Sequence, residues 1–411
     1  SEHGTPGSGV DKVSFVYNAD GSSVVTSPLG QARTYNFTVI NGSKKMTSMS
    51  AACPACGTNF AARVYDTNGK TDVETDFAGT TTDTDYNARG LLTQKIESAN
   101  KAATKRTTQT DWHATFNVPT ERRILNATGV LEAKTKYAYN ARGQVTASCQ
   151  IDPTNTTAMA YVCGSATNAP TGVRQSTTAY CEAADVIAGS CPIIGLSISS
   201  NGPRTDVSDI TTLTYRQTDE ASCATSPTTC QYRKGDLWKV TNALNQTSET
   251  LAYDGAGRAL QVKDANNVVT DMEYNTRGWL TARKTRGLDS ASETDDVITR
   301  MEYDATGQVS KIAQADGDFI NFTYDAAHRL TGISDALNNS ITYILDNAGN
   351  REVEKTNDSG DNLTRNLSRV YDTLGRLQAS KNAANTTLAT LAYDANDNLD
   401  TSTDALNRVV D

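Results

Sequence analysis

Along most of the chain, apolar and polar residues alternate in short runs that end in clusters of Asn, Asp and Gly. A period of two is the mark of a pleated strand with unlike faces, and those three residue types tolerate the positive φ of a tight turn. The stretch from Tyr253 shows the grammar. Arg258-Ala259-Leu260-Gln261-Val262-Lys263 alternates, Asp264-Ala265-Asn266-Asn267 reverses the chain, and Val268-Val269-Thr270-Asp271-Met272-Glu273-Tyr274 runs back to a second reversal at Asn275-Thr276-Arg277-Gly278. Each such unit predicts a β-hairpin. The first kind of turn recurs at Asp335-Ala336-Leu337-Asn338 and Asp404-Ala405-Leu406-Asn407, and more weakly at Asn242-Ala243-Leu244-Asn245. A helical period is nearly absent, and Cys181-Glu182-Ala183-Ala184-Asp185-Val186-Ile187-Ala188 is the best helical candidate.

The second kind of turn follows a tyrosine-aspartate phrase, written most fully as Tyr371-Asp372-Thr373-Leu374-Gly375-Arg376-Leu377 and again as Tyr253-Asp254-Gly255-Ala256-Gly257-Arg258. It recurs at a nearly fixed interval: Tyr65 to Tyr86, Tyr232 to Tyr253, Tyr253 to Tyr274 and Tyr303 to Tyr324 are each 21 residues, and Tyr371 to Tyr393 is 22. A fixed period in the twenties is the signature of a repeat array. Where Tyr is replaced, at Leu345, the turn Asp346-Asn347-Ala348-Gly349-Asn350-Arg351 survives, so turn chemistry outranks the ring. Wider gaps hold the polar stretches 286–293 and 357–362, which predict longer hairpin loops. Two strands alone are marginal in water, so adjacent hairpins are expected to pair edge to edge, and the array grows by addition.

These phrases resemble the Rhs or YD-repeat family. The resemblance is carried by Tyr65-Asp66-Thr67-Asn68-Gly69, Tyr86-Asn87-Ala88-Arg89-Gly90, Tyr139-Asn140-Ala141-Arg142-Gly143, Tyr303-Asp304-Ala305-Thr306-Gly307 and Tyr324-Asp325-Ala326-Ala327-His328-Arg329-Leu330, a set hard to produce by chance. It runs from about Tyr17 to the end, with a gap between roughly 150 and 230. The family implies an all-β fold in which a ribbon of antiparallel hairpins spirals into a hollow shell or cocoon. In bacteria that shell usually surrounds a toxic C-terminal domain, and in animal teneurins it belongs to a cell-surface adhesion protein. The family's plug with an Asp-Pro-Gly cleavage motif has no counterpart in this sequence, so toxin release by this piece is not expected. The residues expected to support the array are Tyr253, Asp254, Gly257, Tyr274, Gly278, Tyr303, Gly307, Tyr324, Tyr371, Gly375 and Arg376, in a structural rather than a chemical role.

Composition agrees with a wall more than with a compact core. Hydrophobic residues make up 37%, and mean hydropathy is −0.50. The expected organisation is a repeat region over 1–148, a Cys-rich insertion over 149–230, and a second repeat region over 231–411 continuous with the first. The start reads as that of a chain whose leader was removed or of an internal fragment, and the end, just after a turn, favours a fragment of a longer polypeptide. Net charge is −9 and the 38 Lys and Arg are scattered, which argues against nucleic acid as a partner, since backbone binding needs a concentrated cationic face. No apolar run approaches the length that spans a bilayer.

Eight cysteines fall into four close pairs: Cys53 with Cys56, Cys149 with Cys163, Cys181 with Cys191, and Cys223 with Cys230. Six lie between 149 and 230, where prolines also gather and a long loop would need staples. Even number and local pairing predict disulfides, and with them an extracellular or cell-surface location. The competing reading is zinc. Cys53-Pro54-Ala55-Cys56 has knuckle spacing, but no second CxxC or His pair stands near it.

Catalytic chemistry is scarce. Of His3, His113 and His328, the first is terminal, the third occupies a repeat turn, and His113 in Thr110-Asp111-Trp112-His113-Ala114-Thr115-Phe116 reads as a packed or surface strand residue. No nucleophile elbow, HExxH or phosphate loop is present. Asp394-Ala395-Asn396-Asp397-Asn398-Leu399-Asp400 mimics half a calcium loop, but it lacks the glycine and the distal glutamate and reads as a degenerate repeat turn. Asp206, Asp209 and Asp219 form another acidic group of poor specificity. No catalytic residue, metal or cofactor is expected. Two functions follow: a non-enzymatic shell of a secreted or surface Rhs-repeat protein that encloses a C-terminal toxin or effector domain of the same polypeptide, or a surface module for adhesion or carbohydrate binding. Open sheet edges also allow self-association.

Overall fold

The computed structural model describes residues 2–53, 59–165, 169–289 and 292–411. Thirty-one strands appear among them, with only the short helices Thr156–Ala160 and Ala183–Ile187 and one 3-10 turn, Ala221–Ala224. The fold is all-β, and every recorded pairing is antiparallel. The helix Ala183–Ile187 falls where the sequence favoured one, and Asp185 caps it by accepting the Glu182 N–H at 2.8 Å.

The chain divides into two compact units. One comprises Ser1–Asp85, Lys95–Lys105 and Met301–Asp411, and the other Tyr86–Gln94 and Arg106–Arg300. Within each, strands pair in chain order. In the second unit, Thr247–Tyr253 pairs with Ala259–Lys263, which pairs with Val269–Tyr274, with Tyr253 opposite Ala259 and Gln261 opposite Asp271. The ladder slips by one residue before Tyr253. That slip is the bulge expected when a hairpin closes through a type I turn followed by a left-handed residue.

Strand pairing also runs through residues 149–230. Val145–Ile151, Val173–Tyr180, Ser197–Asn201, Ile210–Tyr215 and Leu237–Thr241 form consecutive antiparallel pairs, and the extra residues are carried in long connections between them. The expected long loop is seen where Arg286 to Asp296 joins Leu280–Thr285 to Val297–Tyr303, although 290 and 291 lie outside the described residues. The second expected long loop, at 357–362, is corrected by the structure. Arg351–Asn357 and Leu363–Tyr371 meet through an ordinary short turn, Asp358 to Asp361, because the extra residues lengthen the strands instead.

The interior is thin. Among the described residues, the extended cluster of buried apolar residues is Cys149, Ile151, Ala158 and Val173, beside the first disulfide. Elsewhere most strand residues are half-buried, and ionic ladders cross the strands. Glu249, opposite both Lys239 and Lys263, lies 3.6 Å and 3.1 Å from their ammonium groups. Such pairs contribute a few tenths of a kcal/mol to about 1 kcal/mol each, so cohesion is spread along the ladder rather than gathered in a core.

In the first unit, turns far apart in sequence meet. The Asp11 N–H donates to the Asn347 carbonyl at 2.8 Å, Thr373 to the Gln31 side chain at 3.0 Å, and Asn396 to Asp76 at 2.9 Å. On one side of every contact stands a tyrosine-aspartate turn or its equivalent. The partner is a segment or turn of the first strands.

Candidate functional site: a clasp between successive repeats

Each tyrosine-aspartate turn is closed by its aspartate. Asp254 takes the Arg258 carbonyl with its own N–H at 2.9 Å, while its Oδ1 accepts the N–H groups of Ala256 and Arg258 at 2.9 and 3.0 Å. Gly257 completes the turn at φ +79°, a conformation costly for most side chains. Gly278, Gly307 and Gly375 occupy the same seat, and so does His328 at φ +65°. Asn and Asp fill it elsewhere, at Asn338 and Asp397 for example, because short polar side chains tolerate the left-handed region.

The arginine after the glycine binds back to the aspartate: Arg258 Nε donates to Asp254 Oδ2 at 2.6 Å, and Arg376 Nε to Asp372 Oδ2 at 2.7 Å. Burial pushes the Asp254, Asp325 and Asp372 carboxyls up. Their bonds to the Arg258, Arg329 and Arg376 backbone N–H and guanidinium groups outweigh that and hold them below the usual carboxylate range. Asp304 is held low first by the Thr306 hydroxyl, and Asp394 by the Asn398 amide.

The tyrosine then fastens one repeat to the one before. Its hydroxyl donates to the carbonyl of the first strand residue after the previous turn: Tyr253 to Leu237 at 2.7 Å, Tyr274 to Ala259 at 3.2 Å, Tyr324 to Val309 at 2.8 Å and Tyr393 to Leu377 at 2.8 Å. Tyr371 reaches Arg351 in the same way at 3.3 Å, and Tyr303 ends the strand Val297–Tyr303 at the same station. The guanidinium of the previous repeat lies over the ring, Arg258 over Tyr274 and Arg376 over Tyr393, each 4.7 Å from the centroid. Aspartate, arginine and the next tyrosine form one linked clasp.

Departures from the phrase confirm the division of labour. Leu345 lacks a ring, and there Arg329 sends Nη1 to the Asp346 carbonyl at 2.7 Å instead. Trp112 stands in for tyrosine by donating its indole N–H to the Leu92 carbonyl at 2.8 Å. The clasp was missed in reading the sequence, although the 16-residue step from Arg258 to Tyr274 and the 17-residue step from Arg376 to Tyr393 were visible. Nothing in one dimension says that those side chains share a face and a level.

Among the described residues, three disulfides close local loops: Cys149 with Cys163, Cys181 with Cys191, and Cys223 with Cys230, separated by 14, 10 and 7 residues. The expected pairing of Cys53 with Cys56 is not described, because Cys56 lies outside the described residues. Glu220, Cys223 and Cys230 come together, but with both sulfurs in a disulfide they offer no thiolate to a metal. Asp394 accepts the Asn396 and Asn398 N–H groups, and Asp397 binds Arg376 at 2.7 Å, so the mimic of a calcium loop is a repeat turn. Asp206 pairs with Arg204, Asp209 accepts the Arg204 N–H, and Asp219 accepts the Lys234 N–H.

The family model described as teneurin YD-shell matches residues 216–385. Over this stretch the chain is similar to the YD-shell family. Among solved structures, the crystal structure of TcdB2-TccC3 is similar over 96% of this chain and 23% of its own, at 13% identity and a TM-score of 0.54. The same pair without its hypervariable C-terminal region scores 0.49 at 14% identity, over 96% of this chain and 21% of its own. The Photorhabdus luminescens Tc holotoxin pore scores 0.48 at 13% identity, over 93% and 23%. At such identities the likeness concerns the fold, and it rests on the first of the three. The chain spans less than a quarter of the length of these structures. No curated protein matches the sequence. Among the described residues, no helix is long and apolar enough to cross a membrane.

Proposed function

We propose that this YD-shell chain is a stretch of non-enzymatic wall, part of the shell of a secreted or surface bacterial Rhs-repeat protein, which screens a C-terminal toxin or effector domain of the same polypeptide. The clasp carries this reading. Its aspartates and arginines, the charged groups a catalytic site would use, are spent on closing turns and joining neighbours, repeat after repeat. Three local disulfides support an oxidising, extracytoplasmic setting. Within the wall we assign 1–148 and 231–411 to repeat regions and 149–230 to a Cys-rich insertion. The test is protease challenge of the full polypeptide carrying this stretch. The C-terminal domain should survive while the wall is native and be digested once it is unfolded; digestion at the rate of the free domain sinks the reading.

A carbohydrate-binding or adhesion surface is the alternative, and one observation favours it. In the second unit a polar cleft is lined by Gln175, Thr177, Asn201, Arg204 and Asp206. Binding on a glycan array that disappears with Arg204→Ala would move the assignment to that class.

A further inference from the structure

His113 occupies the station that aspartate holds in other repeats, directly after the ring residue, here Trp112. It also does the aspartate's work. The N–H groups of Thr115 and Phe116 both donate to His113 Nδ1, each at 3.1 Å, while the His113 N–H closes the turn on the Val118 carbonyl at 2.9 Å. A nitrogen that receives two N–H groups carries no proton, so the imidazole is neutral with its hydrogen on Nε2. From this geometry we infer that the turn 113–118 is a proton-sensitive joint in an otherwise acid-tolerant row of turns.

A carboxylate keeps its acceptor oxygens through neutral and mildly acidic solution. Histidine is the side chain that ordinarily changes charge between about pH 5 and 8. A proton on Nδ1 converts the acceptor into a donor and aims it at two N–H groups, so the ring must swing away and the turn loses both bonds. Among the described residues, no carboxylate lies within ion-pair distance of the His113 ring. Arg89, from the neighbouring turn, puts its guanidinium on the His113 and Ala114 carbonyls. Asp111, on the same strand, is engaged by Arg123 at 2.7 Å, and Arg142, in the next turn, by Glu182. The Tyr139 ring stands nearly perpendicular to the imidazole, with centroids 6.1 Å apart.

The consequence reaches the adjacent repeat. Phe116, 5.0 Å from the imidazole centroid, packs so closely on Gly143 that a Cβ there would lie 2.9 Å from its ring. When the 113–118 turn opens, Phe116 loses its anchor and the contact with the turn at Gly143 loosens. The inference holds whatever the wall encloses.

The test is amide hydrogen exchange on the intact chain at about pH 7.5 and about pH 5.5, with protection corrected for the intrinsic rate at each pH. At Thr115 and Phe116, protection should fall about tenfold on acidification, the scale of one to two lost hydrogen bonds. Ala256 and Arg258, held by Asp254, should not change. In His113→Asn the side-chain oxygen accepts at both pH values and protection should stay constant; in His113→Ala it should be low at both. His113→Asp serves if the asparagine variant fails to fold. Unchanged protection in the native chain, or an equal fall in His113→Asn, overturns the inference.

Discussion

Gly143→Ala, Gly257→Ala and Gly257→Asn together separate two costs that a repeat turn imposes on its left-handed residue. At Gly257 nothing lies within 4 Å of the position a Cβ would take, so alanine meets only the backbone penalty of φ +79°. That penalty is about 1 to 2 kcal/mol, reduced by about 0.4 to 1 kcal/mol because alanine also restricts the unfolded chain, leaving roughly 1 kcal/mol of lost stability. Gly143 has nearly the same backbone, φ +76°, but the Phe116 ring stands 2.9 to 3.1 Å from the new Cβ. Overpacking adds about 1 to 3 kcal/mol, so this variant should lose roughly 2 to 4 kcal/mol. Gly257→Asn should be close to neutral, since asparagine holds the seat at Asn245, Asn267, Asn338, Asn385 and Asn407 with φ from 60° to 67°. A repeat array need not melt in one step, so the readout is native-state hydrogen exchange of the affected hairpin, resolved by residue. The reasoning is refuted if Gly143→Ala is no worse than Gly257→Ala, or if asparagine costs as much as alanine.

Tyr324→Phe removes the bond to the Val309 carbonyl and should destabilise the hairpin around Phe319–Tyr324 by about 1 kcal/mol in urea unfolding. Tyr17→Phe, at a residue 80% exposed, should stay within about 0.5 kcal/mol. Opening the Cys149–Cys163 disulfide by a double alanine substitution should cost about 3 kcal/mol, and opening the shorter Cys223–Cys230 loop about 2.5 kcal/mol, measured against the oxidised parent. The Asp254, Asp325 and Asp372 carboxyls are held low, so their stabilisation is fully present above the ordinary carboxylate range and is lost as pH falls through it. Carboxyl NMR titration should place all three below their values in the unfolded chain, and a higher value at Asp372 would remove the clasp as its cause. Arg376→Lys keeps the charge but loses the planar fork and the stack over Tyr393; hydrogen exchange should show faster opening at Leu377 than in the parent.

Much of this architecture was legible because its signals are local. Alternation, the Asn/Asp/Gly clusters and the 21-residue step each act within one hairpin, where backbone sterics and a single side-chain acceptor decide the outcome. The three described cysteine pairs were legible for the same reason, since 7 to 14 residues of chain keep their partners close. The loop expected at 357–362 was misread because a polar run does not reveal whether its extra residues lengthen a loop or two exposed strands. His113 was read as an ordinary strand residue because its acceptor role depends on the turn placing Thr115 and Phe116 N–H groups over Nδ1.

From its letters alone, then, the chain declares hairpins, their turns and their period, all consequences of which φ, ψ and hydrogen bonds each residue permits. Only the folded ladder decides which strand lies opposite which, and so which arginine meets the next tyrosine and which carbonyl its hydroxyl reaches. Only folding, too, sets Asn396 against Asp76, 320 residues away. Those choices rest on register and on contacts between distant segments, where the free energy belongs to the pair and neither residue carries it in its own preferences.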